Sequence, residues 1–515
     1  MPWNKTKNTY VNWLANTELK KFFSENILYK KDLSLWWLTK LIDRDFINDQ
    51  DWYINLNKIF EKKAVSRKNF ITFKVLVKFI ISLISKVFFY FFYKILLKDS
   101  SKKNFYKNGI YVTFSNLSKY KNFIIDKQLG KFGLDQKSKI IYFINLNEDF
   151  DSILNILKIK KKLKKIPYDY IIINNKINPL IILNIYFSIL IKGLILKREL
   201  EKKNYFILDN FDCSKVLSSY LVSSFLGSIQ RQILIGERIF EVLKKVRCKN
   251  FLTYMEFFPT SRSIYYFVNK SKIKNIISIN HGNTSDNDLF FCFKKKEFSK
   301  STDFRNFSPR PNYFTTKGNM YYKKLSKIFL PSQIYLTGTF KIELEKNFNK
   351  ARGYNSNKNK KLYLICGLND YKPFIYLLNQ INLKKYKVYL LPHPVARSTT
   401  TKYFKKYSKF SFEIKNLSNK SSFFKKDDLI IFGDSSIGLE LAYNNYNIIR
   451  LYHKKFIPTF DLEKSIPVAT NLNKVSLFLK GKKIHKNSKK IEKNFFHKFD
   501  VKASKRLNFM LKAID

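Results

Sequence analysis

The sequence predicts an α/β protein, with two lobes of parallel sheet behind a helical N-terminal region. Three observations carry that prediction. From Gly109 onward, short apolar runs are each followed by a polar turn and a longer mixed stretch. These runs are Ile110–Phe114, Ile140–Ile144, Tyr170–Ile173, Tyr205–Leu208, Phe251–Met255 and Ile276–Ile279, spaced as strand–helix–strand units require. The rhythm then repeats at Tyr313–Thr315, Ile334–Leu336, Leu362–Ile365, Val388–Leu391, Leu429–Phe432 and Ile448–Tyr452. Finally, 515 residues with 45% apolar content suffice for two large domains, each burying a core.

Taken in order, residues 1–108 alternate helical patches with polar turns. Ser34 is placed to cap a helix opening at Leu35-Trp36-Trp37-Leu38, and Trp52, Leu56 and Ile59 mark another. Residues 109–308 form the expected first lobe and residues 309–515 the second. The Asn- and Lys-rich tract Glu345–Lys360 reads as a surface loop. The lysine-heavy tail after Leu479 is kept with the second lobe and is expected to return and pack on the first. Two open sheets facing each other leave a central cleft at the carboxyl ends of their strands, where ligand chemistry is expected.

The charge balance is extreme: 97 Lys plus Arg against 39 Asp plus Glu, a formal net charge of +58. Such a field attracts anionic lipids, nucleotides or nucleic acid. Nucleic acid is disfavoured as a partner, because the basic residues are spread along the whole chain. No zinc finger, RNA-binding signature or basic-region zipper organises them. Cys213, Cys248, Cys292 and Cys366 show no paired metal-ligand spacing, so no metal is expected. Cys292 and Cys366 lie in apolar runs and read as buried free thiols. The absence of a disulfide framework, together with a start (Met1-Pro2-Trp3-Asn4) lacking a signal-peptide pattern, points to the cytoplasm.

The most apolar region, Ile71 to Leu97, is interrupted by Lys74, Lys78, Lys86 and Lys94. Its longest lysine-free stretch has seven residues, far short of the ~20 that a crossing requires. An interfacial helix with snorkelling lysines fits this pattern, and a core helix with one wet side competes with it. The first reading makes the chain peripheral on the inner face of the plasma membrane, held by anionic lipid. A second apolar run, Ile181 to Ile195, reads as a buried helix.

Candidate chemistry sits at predicted strand ends. His281 follows Ile276–Asn280, and His393 follows Val388–Pro392 and precedes Pro394. A histidine at a strand's carboxyl end faces the cleft, and when charged it donates to a phosphate or leaving oxygen. A capping or turn histidine is the alternative. Gly433-Asp434-Ser435-Ser436 follows the run Leu429–Phe432 and opens a helix, so hydroxyls stand beside helix-start amides in an anion-binding arrangement. Glu256 ends another predicted strand and is placed to take a proton from a hydroxyl, or to pair with Arg262 across the turn. Glu148 and Asp149, after the run Ile140–Leu146, are rival bases.

With these elements in this order, the chain resembles the GT-B superfamily of glycosyltransferases. It looks closest to bacterial surface-carbohydrate enzymes that use CMP-activated nonulosonic acids, such as Kdo-like sugars or sialic acids. The resemblance rests on His393-Pro394, on Ser435-Ser436, and on Tyr254 through Glu256, Pro259 and Arg262 to His281-Gly282, and it covers about residues 250–455. Where such families carry an acidic-acidic-glycine motif, Glu148-Asp149 is followed here by Phe150. The resemblance implies two Rossmann-like lobes and a nucleotide-sugar donor, CMP-linked by preference, on the second lobe. His393, Pro394, Gly433, Ser435 and Ser436 would hold the donor, with Arg262 also a binding residue. Glu256 is the implied base, Asp149 its rival, and His281 a second catalytic group. No further cofactor or metal is implied, and the acceptor is a glycan or glycolipid of lipopolysaccharide, O-antigen or capsule. A CDP-polyol phosphotransferase, a UDP-sugar transferase or a UDP-sugar epimerase of the same two-lobed fold are the alternatives.

Overall fold

The computed structural model describes residues 2–43, 50–62, 73–134, 139–148, 155–254, 257–280, 289, 292–299, 302–340, 360–368, 370–394, 396–415, 424–425, 427–452, 466–481, 488–498, 500 and 502–514. Two parallel sheets organise them. The first runs, edge to edge, Ile334–Leu336, Tyr313–Thr316, Asn275–Ile279, Arg247–Tyr254, Phe105–Thr113, Ile140–Asn145 and Asp169–Ile172. In chain order this is 7-6-5-4-1-2-3. The second runs Glu413–Ile414, Tyr386–Leu391, Lys360–Ile365, Leu429–Phe432, Ile448–Leu451 and Val468–Ala469, or 3-2-1-4-5-6. Both follow the Rossmann order, in which the chain reverses direction between its first and fourth strands. The chain is therefore α/β with two Rossmann-like lobes, as the repeated rhythm predicts.

The central strands are mostly apolar because both faces of each sheet are covered, with polar residues such as Lys107, Lys249 and Lys361 toward their starts. Ile110, Val112, Tyr142 and Ile144 enter one core, while Tyr111, Ile141 and Phe143 enter the core on the opposite face. In the second sheet Leu362 and Leu364 face one way, Tyr363 and Ile365 the other. Period-two alternation thus persists within nearly continuous apolar runs.

Several expectations are corrected. Tyr313–Thr316 and Ile334–Leu336 were expected to open the second lobe, but they complete the first sheet, with Ile277 paired to Tyr313 and Phe314 to Ile334. A cluster of Phe257, Phe314, Leu325, Phe329 and Ile334 binds them there, so the 308/309 boundary falls inside the first sheet. The run Tyr205–Leu208 joins neither sheet. Asp209 and Asn210 adopt positive φ (50° and 66°) and fold Ile207–Leu208 back on Phe211–Asp212 as a hairpin. The run Ile181–Ile195 lies in a helix, Pro179–Lys202, that is buried on one side only, since Phe187, Ile191 and Leu194 are exposed. Cys366 is buried as expected, but Cys292 is only half-buried.

The N-terminal region is helical, including Pro2–Asn16, Glu18–Asn26 and Gln50–Phe60. Ser34 accepts from Trp36 N–H at 3.4 Å and heads a short 3-10 turn, Leu35–Leu38, instead of a long helix. Trp36 and Trp37 are fully buried in a core shared with Ile233, Tyr266 and Phe267, so this region is part of the first lobe's outer layer. At the other terminus, the helix Ala503–Ala513 returns to the first lobe. Ala503, Leu507, Met510 and Leu511 join the core formed by Leu252, Ile277 and Ile279, and Arg506 Nε donates to the Thr337 carbonyl at 2.6 Å.

Candidate functional site

The candidate site lies where the second sheet reverses direction. Ile365, Leu391 and Phe432 end three adjacent strands at the same level, Ile365 pairing with both of the others. Gly367, His393 and Gly433 follow within two residues of those ends. Strands in a sheet stand about 4.8 Å apart, so register alone brings the three turns together at the carboxyl edge. The histidine and the Gly-Asp-Ser turn predicted for one site are thus brought to one edge.

Asp370 joins two of these turns. Its Oδ2 accepts Gly367 N–H at 2.9 Å and also accepts Asp434 N–H. The loops approach so closely that a Cβ on Gly433 would collide with the Asp370 carboxylate, and one on Gly367 would stand 2.7 Å from the Asp434 carbonyl. Burial, and then the Asp434 charge, push the Asp370 carboxyl up to about 7, against the pull of the backbone donors. Asp434 in turn accepts from Arg450 at 2.6 Å, and Arg450 is itself buried.

Ser435 follows in extended conformation at the head of the helix Ser436–Tyr443. Its side chain is buried yet makes no capping hydrogen bond to that helix. The head of a helix presents amides and the positive end of the dipole; here the Ser435 carbonyl accepts Gly438 N–H at 3.1 Å, while its hydroxyl caps none of the amides. His393 is half-buried, and its carbonyl accepts Ala396 N–H at 3.0 Å just before the helix Arg397–Tyr407. Pro394 is exposed beside it. Amides at a helix start suit a phosphate, and a histidine turn on the same sheet edge supplies a further donor type. Ser436 begins its helix, and its side chain lies outside what the structure describes.

The first lobe is described less completely at its carboxyl edge. Glu256, His281 and Asp149 lie outside the described residues. Arg262 is fully buried on the first-lobe helix Pro259–Asn269, with its guanidinium 5.5 Å from the Phe293 ring centre. Glu148, weighed as a rival base, is committed elsewhere: Lys86 Nζ stands 2.8 Å from one oxygen and Arg238 2.7 Å from the other. Burial alone would raise its pKa, but the Arg238 and Lys86 charges overcome this and hold the carboxyl below the ordinary range.

Asp370 and Arg450 are not among the residues that the sequence analysis places in the site, and Asp434 enters it only as part of the Gly433-Asp434-Ser435-Ser436 turn. Arg450 gave a usable signal, a charged residue inside the apolar run Ile448–Tyr452, which implies a buried partner. Asp370, in a polar turn, gave none.

No family model matches the chain, and no curated protein sequence matches it. Solved structures do share its course. UDP-GlcNAc 2-epimerase from Neisseria meningitidis is 11% identical, with 79% of this chain and all of that chain covered and a TM-score of 0.44. A glycosyltransferase from Rickettsia africae is 12% identical, covering 80% of this chain and 99% of its own, with a TM-score of 0.42. The wall teichoic acid polymerase TagF is 12% identical, covering 86% and 97%, with a TM-score of 0.39. Similarity at this level transfers no activity to the chain.

Proposed function

We propose that the chain is an inverting glycosyltransferase that moves a sugar from a nucleotide-activated donor to a growing surface glycan. A CMP-linked nonulosonic acid is the preferred donor. The observation that supports this reading is the edge of the second sheet, where His393 and the Gly433–Ser435 turn, with the helix head beyond it, follow the two strands that flank Lys360–Ile365. There the helix-start amides and His393 carry the negative charge that grows on the donor phosphate as its bond to the sugar breaks. Preorganised donors of this kind are worth several kcal/mol. Protein groups neutralise the phosphate in this scheme, so no metal is called for. Glu256 is the proposed base for the acceptor hydroxyl and Asp149 its rival, so the E256Q and D149N proteins separate the two.

A donor screen tests the reading. Thermal stabilisation and hydrolysis are compared across CMP-, CDP-, UDP- and GDP-linked ligands. CMP-sugars are expected to stabilise most, and H393A should lower turnover about 10²–10³-fold in a folded protein. A response to CDP-polyols alone would make the chain a phosphotransferase instead. Unchanged transfer by H393A would remove His393 from the site.

A further inference from the structure

Two helices of the first lobe carry apolar surface that the chain itself does not cover. Phe73–Leu96 exposes Leu76, Ile80, Ile84, Phe88, Phe91 and Ile95, with exposures from 40% to 76%. With Ile81, also exposed, they fall at 100° per residue within about 140° of the helix circumference. Pro179–Lys202 exposes Leu180, Phe187, Ile191, Leu194 and Ile195, from 44% to 74%. With Ile81 and Ile181, thirteen of the twenty-one exposed large apolar side chains among the described residues are on these two helices. The helices touch each other: Ser82 Oγ and Tyr186 OH are 3.0 Å apart, and Phe79 packs on the Tyr186 ring. Isolated exposed apolar residues are ordinary, but concentration on two touching helices marks an interaction surface.

Charge identifies the occupant. Exposed Lys94 stands at one margin of the apolar arc on Phe73–Leu96 and exposed Lys78 about 60° beyond the other. Exposed Lys197, Arg198, Lys202 and Lys203 lie at the end of the other helix and just beyond it, Lys197 paired with Glu201 and Lys203 with Glu18. Lys86, near the middle of the first helix, turns inward to Glu148, so it does not interrupt the exposed arc. An apolar strip with a cationic border, on a chain of net charge +58, matches an anionic lipid surface. Both helices are long and apolar enough to cross a membrane by length and composition. Crossing is excluded by their packing. Phe89 and Tyr93 join the core under the first sheet, and Ile182, Ile185 and Ile189 join the core holding Trp36 and Trp37. A crossing would carry that sheet and its polar loops into hydrocarbon.

We propose that these two helices together form a docking platform that lies in the interface of an anionic bilayer. The inference stands independently of the donor reading. Vesicle flotation of the full chain tests it, with phosphatidylcholine vesicles and with vesicles in which ~30% of the lipid is phosphatidylglycerol, a content within the anionic range that draws basic proteins. The chain should float with the anionic vesicles and be released as salt rises. Two sets of serine substitutions, at Ile80, Ile84 and Phe91 and at Phe187, Ile191 and Leu194, should each lower the bound fraction at least about 10-fold. K78E/K94E should lower it without touching the apolar surface, which keeps the test valid if a serine set misfolds. Light scattering of the soluble protein is run in parallel. A dimer that dissociates in the serine variants would assign the surface to a second copy and overturn the proposal. So would absence of flotation, binding that resists high salt and alkaline extraction, or unchanged flotation of the Phe187 set.

Discussion

At the carboxyl edge of the first sheet, buried charges answer one another: Glu148 lies between Lys86 and Arg238. At the same edge of the second sheet, buried carboxylates hold backbone: Asp370 accepts two amides from two loops, and Asp434 braces the arrangement through Arg450. The first arrangement joins a helix, a strand end and a second helix and leaves its carboxylate no catalytic freedom. The second fixes the positions of turns while leaving the helix head beyond them without a side-chain cap. Similar strand topology therefore supports a buried ion cluster in one lobe and a brace between two turns in the other.

The largest test of this contrast removes the cluster's carboxylate. E148A strands Lys86 and Arg238, whose side chains are 12% and 1% exposed, and should cost about 3–5 kcal/mol in chemical denaturation. A loss well below that would mean the ion cluster is not what ties the Phe73–Leu96 helix to the sheet. Next comes D370A, which deprives two buried amides of their acceptor. It should cost about 1–3 kcal/mol and also abolish stabilisation by nucleotide. If nucleotide binding survives intact, Asp370 does not position the site.

A subtler test uses pH. The folded Asp370 carboxyl is raised from 3.8 to about 7, so the protonated form favours the fold. Its contribution is complete below about pH 4 and is lost as pH climbs through about 7. Asp126, also raised to about 7 by burial, acts in the same direction. Melting temperature followed across this window should fall less steeply in D370N than in the native chain, and less steeply still in D126N/D370N. Identical slopes would show that Asp370 is already ionised in the fold. The smallest effect is expected at Lys387–Glu413, an exposed pair at 3.0 Å, where K387A should leave the melting temperature unchanged.

Much of this was legible beforehand where local pattern decides it. Apolar runs located the main strands, and His393 and Gly433 fell at strand ends that parallel pairing brings together. What escaped depends on distant partners. Whether Tyr313–Thr316 joins the first or second sheet is settled by the aromatic cluster around Phe257 and Phe329, not by the strand's own composition. Lys86 looked like one more snorkelling lysine, because nothing near it announces Glu148 or Arg238. The Ile181–Ile195 run looked buried because an apolar face is normally covered, and here half of it is not. Asp370 sits in a polar turn that any surface loop could contain, and only the close approach of Gly433 gives it meaning.

The returning helix Ala503–Ala513 imposes an order of events during synthesis. Domains emerging from a ribosome ordinarily close in turn, the N-terminal one first. Here the layer containing Leu252, Ile277 and Ile279 lacks Leu507, Met510 and Leu511 until residues 503–513 have been made and are free to fold back. The lobe made first is thus finished last. Until then it waits with an apolar surface open, and a chain stopped before residue 503 would leave that surface open for good.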